Sequence, residues 1–84
     1  MNVEIYTKHD CVYCQRAKVL LADKNISFNE QMLDRDFTRE HILNKFPTAK
    51  AFPIIVLDGY FIGGYSQLKE HLDSNDTSKL LLNE

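Results

Sequence analysis

Cysteine is scarce in this sequence. Cys11 and Cys14 are the only two among 84 residues, whereas a small secreted domain normally carries several pairs to offset a thin core. A reducing compartment is the expected setting, which makes the cytoplasm the default location. Charge of one sign is also missing. Ten Lys and Arg stand against twelve Asp and Glu, for a net charge of -2, with no basic cluster to follow a phosphate backbone, so nucleic acid is not an expected partner. Long apolar runs are absent as well. The longest, Ala51 to Leu57, contains Pro53 and falls far short of a membrane span, and the opening Met1-Asn2-Val3-Glu4-Ile5-Tyr6 lacks the basic start and apolar core of a secretory signal. No repeat, linker or low-complexity tract divides the chain. One domain over residues 1–84 is expected, burying about 60 to 65% of the surface its unfolded chain exposes.

The periodicity of what remains outlines the elements. Val3 to Thr7 alternates in the manner of a strand. Beyond Lys8-His9-Asp10 the period changes: Cys14, Ala17, Leu20 and Leu21 recur at helical spacing, with Asp10 the expected N-cap and Lys24-Asn25 the expected close. Ile26 to Met32 reads as a second strand. Asp34 to Thr38 supplies turn and capping chemistry for a second helix, about Arg39 to Phe46, which Pro47 ends. Pro53 to Leu57, the hairpin dipeptide Asp58-Gly59 and Tyr60 to Ile62 form an antiparallel hairpin. Gly63-Gly64 breaks that pattern, and Ser66 is the expected cap of a third helix bearing Leu68 and Leu72. Residues 73–84 read as a polar tail, or as a short helix through Leu80-Leu81-Leu82. The order gives an α/β fold: a four-stranded mixed sheet, a βαβ unit plus a hairpin, flanked by about three helices.

The first strand runs straight into Cys11-Val12-Tyr13-Cys14. A cysteine at a helix start faces unpaired N–H groups and the positive end of the helix dipole, and both favour thiolate. In such settings cysteine pKa values fall to about 3.5 to 7.5 from about 8.5, and thiolate is the species that attacks disulfides. Lys8 adds to this effect, while Asp10 opposes it unless turned toward the backbone. Cys14, inside the apolar stripe, is expected to be more buried and to keep its proton longer. Unequal roles follow: Cys11 attacks a disulfide, and Cys14 then resolves the mixed disulfide by attacking Cys11. Zinc would need further ligands, and His9, His41 and His71 are scattered. No metal is expected. A structural disulfide between such near neighbours would restrict little of the unfolded chain.

These residues resemble a glutaredoxin, especially the small bacterial and phage-encoded dithiol members. The likeness is carried by Val3-Glu4-Ile5-Tyr6-Thr7-Lys8, Cys11-Val12-Tyr13-Cys14, Arg16-Ala17-Lys18, Pro53 before an apolar strand, and Ile62-Gly63-Gly64. The resemblance implies a thioredoxin-like fold, a cis Pro53 facing the cysteines, and a glutathione groove beside them. It implies Lys8 and Tyr13 bordering glutathione, with Lys8 meeting a carboxylate, and the backbone of Phe52 pairing with the peptide. Gly64, Tyr65 and Ser66 would receive the γ-glutamyl end. There are three departures from the family pattern. Val12 replaces a proline, Ala51-Phe52 replaces Thr-Val, and an uncharged Ser66 replaces an aspartate.

The activity so implied is a glutathione-dependent thiol-disulfide oxidoreductase acting on protein disulfides and glutathione mixed disulfides. It would be monomeric, with ribonucleotide reductase among the expected partners, and would work in the host cytoplasm if phage-encoded. Two alternatives stand beside it: a glutaredoxin-like redoxin fed by thioredoxin reductase, and a carrier of an iron-sulfur cluster ligated by Cys11 and glutathione.

Overall fold

The computed structural model describes residues 2–74. Its elements run β1 (Val3–Thr7), α1 (Val12–Asp23), β2 (Asn29–Met32), α2 (Arg39–Lys45), β3 (Ile54–Leu57), β4 (Tyr60–Gly63) and α3 (Tyr65–Ser74). The sheet order is β2-β1-β3-β4. β1 pairs parallel with β2 across the α1 crossover and antiparallel with β3, and β3 pairs antiparallel with β4. The expected α/β architecture, a mixed four-stranded sheet with three helices, is the one observed.

The central strands alternate between two cores. Val3 and Ile5 of β1, with Ile55 and Leu57 of β3, pack against Ala17 and Leu21 of α1 and Leu68 and Leu72 of α3. Tyr6, Ile54 and Val56 point the other way, onto Leu33, Phe37 and Ile42. Because both faces are covered, all four residues of β3 are buried, which explains its unbroken apolar sequence. The second core is rich in aromatics: the Tyr6 ring meets Phe37 and Phe46 edge-on at centroid distances of 5.4 and 5.5 Å. Lys45 Nζ donates to the Tyr6 hydroxyl at 3.2 Å, so the one polar atom of that ring is satisfied.

Local chemistry explains where several boundaries fall. α1 ends in a Schellman motif: Asn25 takes φ 58, its N–H donates to Ala22 O at 3.0 Å, and the Ile26 N–H donates to Leu21 O at 2.9 Å. Ile26 is thereby used to close the helix and packs on the first core, so β2 begins at Asn29 and not at the expected Ile26. Thr38 caps α2, its Oγ1 accepting from the His41 N–H at 3.2 Å. Asp58 and Gly59 both take positive φ, 50 and 87, as a two-residue hairpin turn of the favoured hand requires. The Asp58 carboxylate also accepts from the Asn2 N–H at 2.7 Å, tying the start of the chain to this turn.

Two expected caps are corrected. Asp10 sits outside α1 with φ 55, and the cap is Cys11. Ser66 lies inside the first turn of α3, whose cap position is Gly64. The Gly64 carbonyl accepts the first intrahelical bond, from Leu68 N at 3.0 Å, and its N–H donates to Gln67 Oε1 at 2.9 Å. That is half of a capping box, with Gln67 in the third helical position. Asp73 and Ser74, expected in a tail, belong to α3. The expectation of a short helix through Leu80-Leu81-Leu82 lies outside the described residues.

Candidate active site

β1 lies at the middle of the sheet, and the loop after it delivers Cys11 to the start of α1. Cys11 adopts extended backbone, and its Sγ is itself the cap acceptor, taking the Cys14 N–H at 3.1 Å. The sulfur thus occupies the position a serine or aspartate oxygen fills in other helices, against free N–H groups and the positive dipole end. Once the pair is reduced, both features stabilise negative charge on Cys11. Cys14, one turn on, faces the core and is 1% exposed, whereas Cys11 is only partly covered. The two are joined as a disulfide with a Cα–Cα distance of 5.2 Å. The unequal burial read from the sequence is therefore present.

Opposite the sulfurs, the Phe52-Pro53 peptide bond is cis, and the Phe52 carbonyl oxygen stands 3.9 Å from Cys11 Sγ. Pro53 is buried at the head of β3, presenting this carbonyl at the sulfur. Beside the pair opens a groove of about 470 Å³ lined on one side by residues 48–53 and on the other by Tyr13 and residues 61–67. Its size matches small-molecule sites generally. Tyr13, Phe52, Pro53, Gly64, Tyr65 and Ser66, all singled out from the sequence, share this groove. The Tyr13 and Tyr65 rings meet at 5.7 Å, and the Arg16 guanidinium lies 5.3 Å from the Tyr13 centroid, holding an exposed ring at the mouth. Lys8 lies elsewhere. It borders a second cavity, of about 210 Å³, on the far side of the Ala49–Phe52 wall that the two cavities share.

Three contributors escaped the sequence reading. Gln67 braces the Gly64 N–H from within the groove wall, and its three-residue spacing from Gly64 was the available signal. Arg16 entered the sequence reading as part of the Arg16-Ala17-Lys18 likeness and was given no part in the site. Of the lip, residues 48–51, only Ala51 had been noted, as a departure from the family pattern, and residues 48–50 carried no periodicity. Gly63 carries a stronger constraint: at φ 123, a Cβ there would lie 2.7 Å from Gln67 Cγ.

Below the site, Thr7 is buried at the end of β1 and donates to Glu30 Oε2 at 2.7 Å, and Lys18 Nζ reaches the same oxygen at 3.1 Å. Burial works to raise the Glu30 carboxyl, but the Thr7 hydroxyl and the Lys18 ammonium outweigh it and hold the group below its ordinary value. This ties β1, β2 and α1 together under the cysteine helix. Among the described residues no group of three or more His, Cys, Asp and Glu could hold a metal ion, and no helix is long and apolar enough to cross a membrane.

Comparison with known proteins agrees with this arrangement. The glutaredoxin family model matches residues 3–62. Glutaredoxin 3 of Escherichia coli K12 is 42% identical over 67 residues, covering 80% of this chain and 81% of the relative. Among solved structures, glutaredoxin 1 of Francisella tularensis superposes with a TM-score of 0.76 at 29% identity, over 99% of this chain and 98% of that one. The solution structure of a Brucella melitensis glutaredoxin gives 0.72 at 34% identity, over 96% and 88%. A helix-capping cysteine, a sheltered partner and a proline-headed strand, found together on this thioredoxin-like sheet and matched over most of the chain, place the protein in the glutaredoxin family.

Proposed function

We propose that this protein reduces protein disulfides and glutathione mixed disulfides at the expense of glutathione. The family and the Cys11–Cys14 pair support a thiol-disulfide oxidoreductase. The observation that carries the finer reading is the 470 Å³ groove running from the cis proline to the start of α3, beside a half-covered Cys11.

In the reduced protein, the Cys11 thiolate attacks one sulfur of a substrate disulfide; that S–S bond breaks and the other substrate sulfur leaves as a thiolate. Cys14, already within bonding reach, loses its proton and attacks Cys11, which forms the Cys11–Cys14 bond and releases the second substrate sulfur. The substrate has gained two electrons and the dithiol has lost them. Cys11, the more exposed sulfur, is where the first glutathione thiolate attacks, releasing Cys14 as leaving thiolate. Attack by a second glutathione on the mixed disulfide returns Cys11 to thiolate and yields glutathione disulfide. For glutathionylated substrates Cys11 suffices.

The groove divides the work of holding glutathione. The backbone of Phe52 pairs with the peptide, Tyr13 walls the sulfur, and Gly64, Tyr65 and Ser66 take the γ-glutamyl end beside the start of α3. Lys8 meets the glycyl carboxylate over the shared Phe52 wall. The protein works as a monomer, and ribonucleotide reductase is a candidate protein substrate.

The deciding experiment supplies electrons either from glutathione with its reductase or from thioredoxin reductase. Turnover with the first supports the reading, and turnover with the second alone overturns it. Cys11→Ser is expected to abolish activity, while Cys14→Ser spares glutathionylated substrates. Activity retained by Cys11→Ser would refute the assigned roles.

A further inference from the structure

Val12 and Val19 of α1 are 64% and 57% exposed. Seven residues complete two helical turns to within about 20°, so the two side chains form one stripe. Ala17 and Leu21, which pack α1 on the first core, lie on the opposite side of the helix. An amphipathic helix normally keeps the face away from its core polar, so the folding of α1 asks for no valine at either position. The stripe borders a groove of about 350 Å³, lined also by Leu20 and by Tyr65 of α3. Its two charged residues, Arg16 and Asp23, are opposite in sign and give it no net charge. Tyr65 lines the larger groove as well, and Val12 directly follows Cys11. Both hollows thus reach the surroundings of Cys11, one through Phe52 and the other through Val12, with Tyr65 between them.

From this arrangement we infer that the α1 groove holds the protein half of a glutathione mixed disulfide, and that it selects protein substrates with a bulky apolar side chain about four residues from the glutathionylated cysteine. The inference rests on the glutathione reading above and adds to it a class of protein substrate. The Cys11 thiolate attacks the glutathione sulfur, a Cys11–glutathione bond forms, and the bond to the protein's cysteine breaks. That cysteine leaves with the electron pair as a thiolate and takes a proton from water. Displacement at sulfur runs in line, so with glutathione in the larger groove the departing chain extends away from it, over the exposed Val12. Val19 lies eight residues beyond Cys11, about 12 Å along the helix axis. An extended chain covers that distance in about four residues. Because the groove has no net charge, an apolar side chain, which gains by leaving water, is the occupant it favours.

The test uses the full-length protein and two glutathionylated peptides, one with leucines four residues to either side of the cysteine and one with serines in those places. The residues next to the cysteine are the same in both, so the leaving thiols match. Glutathione, its reductase and NADPH supply the electrons. Wild-type kcat/KM is expected to favour the leucine peptide by about five- to tenfold, and to keep that preference as salt rises. Val19→Glu is expected to reduce it to less than about twofold, while turnover of a small glutathione mixed disulfide without a peptide stays within about twofold of wild type. Val19→Ser gives the same readout should the glutamate variant fold poorly. Equal rates for the two peptides with wild type, a preference that survives both Val19 variants, or one that vanishes at high salt would overturn the inference. So would a wild-type dimer in sedimentation that Val19→Glu dissolves, because a second copy would then fill the groove. Equal peptide rates together with a lowered urea midpoint for Val19→Glu would assign the groove to the chain's own residues 75–84, again overturning it. Failure of wild type to turn over even the small mixed disulfide would refute the glutathione reading instead, and the leucine preference would then be read on internal-disulfide peptides with thioredoxin reductase.

Discussion

Gly63→Ala concentrates the local physics of the groove into one methyl group. Gly63 has φ 123, where side-chain-bearing residues are strained by about 1 to 3 kcal/mol. The added Cβ would lie 2.7 Å from Gln67 Cγ and 2.9 Å from Oε1, so the Gln67 side chain must swing away. Moving it breaks the 2.9 Å bond from the Gly64 N–H, a further loss of about 0.5 to 1.5 kcal/mol. Together the two effects destabilise by about 2 to 4 kcal/mol, a large share of the roughly 4 to 12 kcal/mol expected for a chain this long. For a domain of this size that lowers Tm by about 8 to 30 °C. Urea unfolding of wild type, Gly63→Ala, Gln67→Ala and the double variant separates the contributions. In the Gln67→Ala background the clash and the cap bond are both gone, so the glycine substitution should cost only the backbone strain. A Gly63→Ala protein within about 0.5 kcal/mol of wild type would refute this reasoning.

The Glu30 carboxyl is held below its ordinary 4.5 against burial by Thr7 and Lys18. A folded value below the unfolded one contributes stability that is complete above about pH 4.5 and is lost as pH falls through the lower folded value. Urea midpoints from about pH 6 to about pH 3 should therefore fall more steeply for wild type than for Glu30→Gln, and parallel curves would contradict it. Leu21→Ala, at a fully buried position that also anchors the Schellman close with Ile26, is expected to cost about 2 to 5 kcal/mol in the same assay. A smaller loss would mean that the first core can collapse around the missing atoms.

The sheet and its helices were legible in the sequence because they follow from periodicities of two and 3.6 residues, and β3 because an apolar run between Pro53 and Asp58-Gly59 reads as one arm of a hairpin. The caps were less legible. Asp10 and Ser66 had suitable side chains, yet Cys11 and Gly64 took the positions, because a cap is chosen by where the chain enters the helix and not by residue type alone. The start of β2 was misplaced for a similar reason: Ile26 has a strand-former's side chain, but its N–H was already committed to Leu21 O.

The site divides along the same line. Adjacent residues carry their own geometry, so Cys11 and Cys14, one helical turn apart, and Asp58-Gly59, a two-residue turn, needed nothing distant to reveal what they do. What brings Phe52 to Cys11, Tyr13 to Tyr65, and Lys8 to Arg39 and Lys50 is the antiparallel pairing of β1 with β3 and the packing of α1 and α3 on one face and α2 on the other. Those neighbours lie tens of residues apart along the chain, and their proximity is a consequence of burying two apolar faces at once. No local pattern encodes it.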